Sequence, residues 1–138
     1  MHITEFNESD RVDIIDLWQQ CKLITASNDP NKDINRKLTC DPELFLVGRV
    51  DGIVMASIMG GYEGHRGWIN YLAVNPEYQR RGYAKALMNS IEQRLLERGC
   101  PKINLQVRET NEEVHNFYHA IGYNVDPVTS FGKRLVKD

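Results

Sequence analysis

Cysteine is scarce in this chain: only Cys21, Cys40 and Cys100 occur. Their number is odd and their spacing fits neither a disulfide framework nor a metal-ligand pattern. They read as reduced thiols filling core or helix-end positions, and no metal site is expected. No apolar run is long enough to span a bilayer. The opening Met1-His2-Ile3-Thr4-Glu5 lacks the basic and apolar regions of a secretory signal. An excess of one charge is missing too, with 17 Lys+Arg against 19 Asp+Glu and a net charge of −2. General nucleic-acid binders carry a strongly basic domain instead. Repeats, low-complexity tracts and linkers are absent. These absences leave a cytoplasmic globular protein as the expectation, with no membrane or nucleic-acid partner.

What is present is enough for a real core. The chain has 138 residues, 41% of them hydrophobic and 26% charged, which suits one domain over 1–138 without metal or disulfide support. His2 to Phe6 reads as a short edge strand. Ser9 and Asp10 are placed to cap a helix from about Arg11 to Lys22, with Val12, Ile15, Trp18 or Gln19, and Leu23 near helical spacing. Asn28-Asp29-Pro30 starts a second helix through about Leu38. Leu44–Val50 and Ile53–Tyr62 are strands around an Asp51-Gly52 hairpin turn, and Trp68–Val74 is a third. Ala84, Leu87, Met88, Ile91 and Leu95 form one stripe of a helix from about Tyr83 to Arg98, stopped by Gly99 and Pro101. Ile103–Val107 is a strand and Asn111–Ile121 a helix. Tyr123–Val125 and Ser130–Val136 are two further strand candidates around Asp126-Pro127. The strand–helix–strand crossover makes Trp68–Val74 and Ile103–Val107 parallel neighbours. The resulting fold class is α/β: a mixed, mostly antiparallel sheet with helices on both faces.

The most informative stretch is Gln79-Arg80-Arg81-Gly82-Tyr83-Ala84. A strand feeds a basic, glycine-containing turn, and the turn opens a helix. Backbone N–H groups there lack intrahelical partners and sit at the positive end of the helix dipole, which suits a phosphate. Gly82 permits close backbone approach, Ala84 keeps the next contact small, and Arg80 and Arg81 add positive charge. The stretch is neither a P-loop nor a dinucleotide fingerprint, since it lacks their glycines.

The hexapeptide resembles the Q/R-x-x-G-x-G/A motif of the GNAT (GCN5-related N-acetyltransferase) superfamily. Leu72-Ala73-Val74-Asn75-Pro76-Glu77-Tyr78 resembles the strand and turn that lead into that motif. Asn111-x-x-Val114-x-x-Phe117-Tyr118-x-x-x-Gly122-Tyr123 is similar to the family's N-x-x-A-x-x-F-Y-x-x-x-G-F signature. Within the superfamily, Asn28-Asp29-Pro30, Met59–Gly67 and Arg98–Ile103 look similar to a YpeA-like branch of bacterial acetyltransferases.

The resemblance implies the acyl-CoA N-acyltransferase fold and transfer of acetyl from acetyl-CoA to a primary amine in a ternary complex. It implies that Gln79, Arg80, Arg81, Gly82, Tyr83, Ala84 and Lys85 hold the pyrophosphate. Leu72, Ala73 and Val74 would bond the pantetheine arm through backbone, with an N–H near Val74 meeting the acyl oxygen beside a bulge. Asn111 would touch the same cofactor, and it also suits a helix N-cap. Tyr118 would be the general acid that returns a proton to the thiolate; the other reading is a half-buried tyrosine packing on the sheet. Many relatives carry a glutamate base where Trp68 and Gln106 stand here, and neither side chain can take a proton at neutral pH. Glu63, Glu109 and His65 remain candidates, as does reaction without any protein base. Asp29, Glu63, His65 and Arg66 would border the acceptor. Expected partners are a small-molecule or peptide amine acceptor, with a homodimer open. N-termini, lysines, polyamines, amino acids and antibiotics all remain open as acceptors. The rival reading is a non-catalytic acyl-CoA sensor.

Overall fold

The alternation of apolar residues in the first 105 residues becomes a five-stranded sheet in the computed structural model, which describes all 138 residues. The strands are β1 (His2–Glu5), β2 (Phe45–Val50), β3 (Ile53–Tyr62), β4 (Gly67–Val74) and β5 (Ile103–Leu105), in spatial order 1-2-3-4-5. The first three pairings are antiparallel and the last is parallel. The helices are α1 (Arg11–Gln20), α2 (Pro30–Leu38), α3 (Tyr83–Glu97) and α4 (Glu112–Ala120). The chain falls into two compact units, Met1–Leu105 and Gln106–Asp138. No helix is long and apolar enough to cross a membrane.

In the first unit, helices cover both faces of the sheet. One face buries Phe45, Val47, Met59 and Ala73 with Ile14, Leu17 and Trp18 of α1 and Ile34 of α2. The other face receives α3, whose predicted stripe buries Leu87, Met88, Ile91 and Leu95. The two layers meet closely there: a Cβ built on Gly60 of β3 would lie 2.6 Å from Ile91 Cγ1. Gly60→Ala is therefore expected to destabilise the fold by about 1 to 2 kcal/mol, the overpacking range. Chemical denaturation checks this; an unchanged midpoint would mean that α3 is free to move away.

The Asp51-Gly52 turn has φ of +51° and +77°, as a two-residue hairpin of that type requires. Asp29 caps α2 by accepting N–H bonds from Asn31 (2.9 Å) and Lys32 (3.2 Å), with Pro30 at the first helical position as expected.

Three expectations need correction. Asp10 does not cap α1 through its side chain. Asn7 accepts from Ser9 N–H, while Asp10 accepts from Asn7 N–H at 2.9 Å and pairs with Arg49 at 2.7 Å. That anchor, with Asp10 buried, sets how α1 is rotated as it leaves the turn. Consequently α1 buries Ile14, Leu17 and Trp18, while Val12 is 71% exposed. The stripe read from Val12 and Ile15 was rotated from the one used.

The third correction is in the second unit, where Tyr123–Val125 and Ser130–Val136 form no strand. A strand needs a neighbouring backbone, and local bonds replace it here. Val128 N–H donates to Asp126 O at 2.9 Å, and Arg134 reaches Val136 O and Asp138. Phe131 and Leu135 consequently stand 94% and 87% exposed.

Candidate active site

The site begins with an interruption in β4. Ala73 pairs with Ser57 and Asn70 with Met59, so Tyr71 and Leu72 together oppose Ile58. This extra residue is a β-bulge, and Tyr71 takes φ +51° to make it. On the other side, β5 pairs only with Gly67, Trp68 and Ile69. Beyond the bulge, β4 therefore runs on to Val74 with its second edge open.

Backbone direction decides what that edge presents. Asn75 donates its N–H to Met55 O at 2.8 Å, toward β3. Adjacent residues of an antiparallel strand point their backbone groups to opposite sides. The N–H and C=O of Val74 therefore face the open edge. The carbonyl is held by Cys21 Sγ and Gln79 Nε2, each at 3.3 Å, which leaves the Val74 N–H as the donor at that position.

The turn that follows is built from two left-handed residues, Arg80 (φ +64°) and Gly82 (φ +79°). Residues in that conformation are an ingredient of backbone anion-binding concavities. Asn75 opens the turn by accepting Glu77 N–H at 2.9 Å. Arg81 lies over the Tyr78 ring, 4.9 Å from its centroid. Gly82 is the N-cap of α3, and the first helical bond runs from Ala86 N–H to Gly82 O at 3.0 Å. The N–H groups of Tyr83, Ala84 and Lys85 thus precede the helix's own ladder. No acidic residue occupies that first turn. A Cβ built on Gly82 would meet no atom within 4 Å, so the space above the turn is open. An open strand edge, a bare helix start and a basic turn together fit an extended chain ending in a pyrophosphate.

The four residues expected at the acceptor are held by local bonds. Asp29 spends one carboxylate oxygen on capping α2. Glu63 accepts from the N–H groups of His65 and Arg66 and so closes the β3–β4 hairpin. Arg66 Nη1 donates to His65 O at 3.0 Å and lies 3.4 Å from His65 Nδ1. Glu63 and His65 are exposed and Arg66 is half-buried. This hairpin is at the start of β4, where β5 is paired. At about 3.3 Å per residue, Gly67 at the start of β4 lies roughly 13 Å along the strand from Tyr71, and His65 is in the hairpin loop before it.

Within the second unit, Asn111 caps α4 by accepting Val114 N–H at 3.3 Å, and Glu112 and Glu113 complement the helix dipole. Tyr118 packs edge-on against Phe117 (5.1 Å) and Tyr123 (5.6 Å). Burial pushes its phenol up to about 12. The Gln106 amide is engaged by Ser130 Oγ.

Sequence reasoning missed the support beneath the bulge. Tyr71, Ser57, Trp18, Asn28 and Asp33 form one bonded network around it. A polar Ser57 amid the apolar run Ile53–Met59 was the available signal, because a buried hydroxyl demands partners. Cys21, expected as filler, instead meets the Val74 carbonyl, and burial raises its thiol pKa.

The family model described as Acetyltransferase (GNAT) family matches residues 11–123. The chain is 47% identical to "Acetyltransferase YE1169" of Yersinia enterocolitica over 138 residues, covering 100% of this chain and 98% of the relative. Among solved structures, Ard1 from Thermoplasma volcanium is similar with TM-score 0.79 and 26% identity, covering 91% of this chain and 83% of that one. The aminoglycoside acetyltransferase AAC(6')-Iy, solved with the bisubstrate analogue CoA-S-monomethyl-acetylneamine, shares the fold with TM-score 0.79 at 18% identity, covering 96% and 97%.

Proposed function

The chain belongs to the acetyltransferase (GNAT) family, and on that premise we propose that it transfers acetyl from acetyl-CoA to a primary amine by direct attack. The family match runs from residue 11 to 123, so we take 1–138 as one acetyltransferase domain. The absence of a membrane-crossing helix and the three free cysteines favour the cytoplasm.

The observation that carries the donor-site reading is the open edge of β4 running into the basic left-handed turn and the bare start of α3. Acetyl-CoA supplies an acetyl group activated as a thioester. Gln79, Arg80 and Arg81 would hold its pyrophosphate with the N–H groups of Tyr83, Ala84 and Lys85, and Gly82 leaves the approach clear. Leu72, Ala73 and Val74 would hold the pantetheine through backbone, with Asn111 assigned to the same cofactor from its motif. The Val74 N–H would donate to the acyl oxygen, where negative charge develops during attack. Tyr118 would donate the proton that the departing thiolate needs.

The incoming amine must be neutral to attack. Trp68 and Gln106 cannot remove its proton, and the Glu63–Arg66 hairpin is at the far end of β4. We therefore assign Asp29, Glu63, His65 and Arg66 to contact with a small-molecule or peptide acceptor, and no protein base to the step. The AAC(6')-Iy complex with an acetylneamine conjugate supports an amine-bearing acceptor for this fold. Thiol release from acetyl-CoA, measured across a panel of amines, tests the function. Binding of coenzyme A without amine-dependent release would select the sensor reading, which the lack of a carboxylate at Trp68 and Gln106 favours.

The pH dependence follows from the same residues. Without a protein base, kcat/KM should rise with pH toward the acceptor amine's own pKa, because only the free amine reacts. Tyr118, raised to about 12 by burial, stays protonated as pH rises, so no falling limb is expected below about pH 10, where an ordinary tyrosine would ionise. Profiles for acceptors of different basicity check this. A rising limb fixed near pH 6–7 (the histidine range) for every acceptor, and lost in His65→Gln, would reinstate His65 as the base.

A further inference from the structure

Tyr71 adopts φ +51° within β4, a conformation that is unfavourable for a residue with a Cβ. Three sets of contacts hold it there. Its ring stacks on Trp18, with centroids 3.7 Å apart and planes 13° from parallel. Its carbonyl accepts a hydrogen bond from Ser57 Oγ at 2.9 Å, and that hydroxyl in turn accepts from Trp18 Nε1 at 2.9 Å. Its own hydroxyl donates to Asp33 Oδ2 at 2.5 Å and accepts from Asn28 Nδ2 at 2.6 Å. Asn28 Nδ2 also reaches Asp33 Oδ2 at 3.3 Å, closing the triangle.

Packing alone would be met by phenylalanine, and the bulge alone by glycine. A strained residue gripped at ring, carbonyl and hydroxyl is over-determined, a pattern found where backbone geometry serves function. The geometry of this residue governs the stretch that follows it. Leu72 to Val74 leave the bulge along the open edge, so the torsion at Tyr71 sets the direction of the Val74 N–H. The hydroxyl end is anchored in a different element, the turn and first residues of α2.

We propose that Tyr71 is a positioning residue for acetyl transfer: clamped by Asn28 and Asp33, it fixes the bulge that aims the Val74 N–H and ties residues 28–33 to the acyl end of the donor site. The catalytic consequence rests on the reading of the β4 edge as the acetyl-CoA site; the clamp itself does not. Burial first, and the Asp33 carboxylate second, hold the Tyr71 phenol above the usual tyrosine range. The hydroxyl therefore remains a donor to Asp33 throughout the neutral range.

Tyr71→Phe keeps the ring stack and removes both hydroxyl bonds. It is expected to lower kcat on the order of 10-fold, a modest loss for misaligned reacting groups, with coenzyme A affinity within about twofold of wild type because the pyrophosphate turn is untouched. Asp33→Ala should act similarly, and the double variant should be no slower than the slower single one, since both cut the same clamp. Amide hydrogen exchange in the free protein gives an independent readout, with exchange at Asn75, whose N–H is bonded to Met55 O just beyond the bulge, expected to accelerate in Tyr71→Phe. Wild-type exchange at Asn75 together with wild-type kcat would overturn the proposal. So would a lowered Tm with kcat unchanged, which is the mark of a merely structural residue. If wild-type protein fails to bind coenzyme A or release thiol, the donor-site reading is lost, and the Asn75 exchange rate still decides whether the clamp exists.

Discussion

Tyr118→Phe is expected to lower kcat about 100-fold, at the lower end of the range for general acid catalysis, with little change in coenzyme A affinity. The substitution keeps the ring and its edge-on contacts with Phe117 and Tyr123, so α4 should be undisturbed. What disappears is a proton. A phenol raised to about 12 by burial is a weaker acid than an ordinary tyrosine, yet it is fully protonated at neutral pH and ready to give a proton to a thiolate. Steady-state rates and calorimetric titration with coenzyme A check the two halves of this expectation separately. A phenylalanine variant with the wild-type kcat would remove Tyr118 from the reaction and leave it as a packing residue.

Gly82→Val is expected to weaken coenzyme A binding by 10-fold or more. Gly82 has φ +79°, where a residue with a Cβ is disfavoured by about 1 to 2 kcal/mol and a β-branched one more so. The turn would relieve this by changing its backbone, and the N–H groups at the start of α3 would turn with it. A side chain would also enter the space the ligand needs, because no protein atom lies within 4 Å of the built Cβ. The same openness means that the fold should survive, since no packing is violated. Calorimetry on the folded variant checks this. Wild-type affinity would show that the turn does not hold the pyrophosphate.

The parts of the fold legible in the sequence were those set by short-range chemistry. The stripe Leu87–Leu95, the Asp51-Gly52 turn and the Asp29-Pro30 helix start each follow from a few adjacent residues, and each is found in place. The parallel pairing of β4 with β5 followed from the crossover between them. The rotation of α1 did not, because it depends on the Asp10–Arg49 pair, 39 residues apart in the chain. Nor did the fate of the tail after Gly122. Its alternation suggested strands, but a strand exists only when another backbone pairs with it, and periodicity does not report that.

For the candidate site the division is similar. The turn at 79–84 was visible as glycine and charge beside two apolar patterns, and the bulge near Val74 was expected from the family resemblance. Its cause was not, since Tyr71 looks like one more strand aromatic until Ser57, Trp18, Asn28 and Asp33 are brought around it by the fold. His65 and Glu63 looked available for proton transfer from their chemistry alone. Both lie in the hairpin loop before β4, whose first residue is roughly 13 Å along the strand from the bulge, and Glu63 accepts the N–H groups that close that hairpin.

The central claim is that the open edge of β4 and the start of α3 hold acetyl-CoA through backbone N–H groups. Amide hydrogen exchange of the protein with and without saturating coenzyme A measures those groups directly. Slowed exchange is expected at Val74 and across Gly82–Lys85, with the Glu63–Arg66 hairpin unchanged. Coenzyme A binding that leaves exchange at Val74 and Gly82–Lys85 unaltered, or that protects the hairpin in their place, would contradict the account.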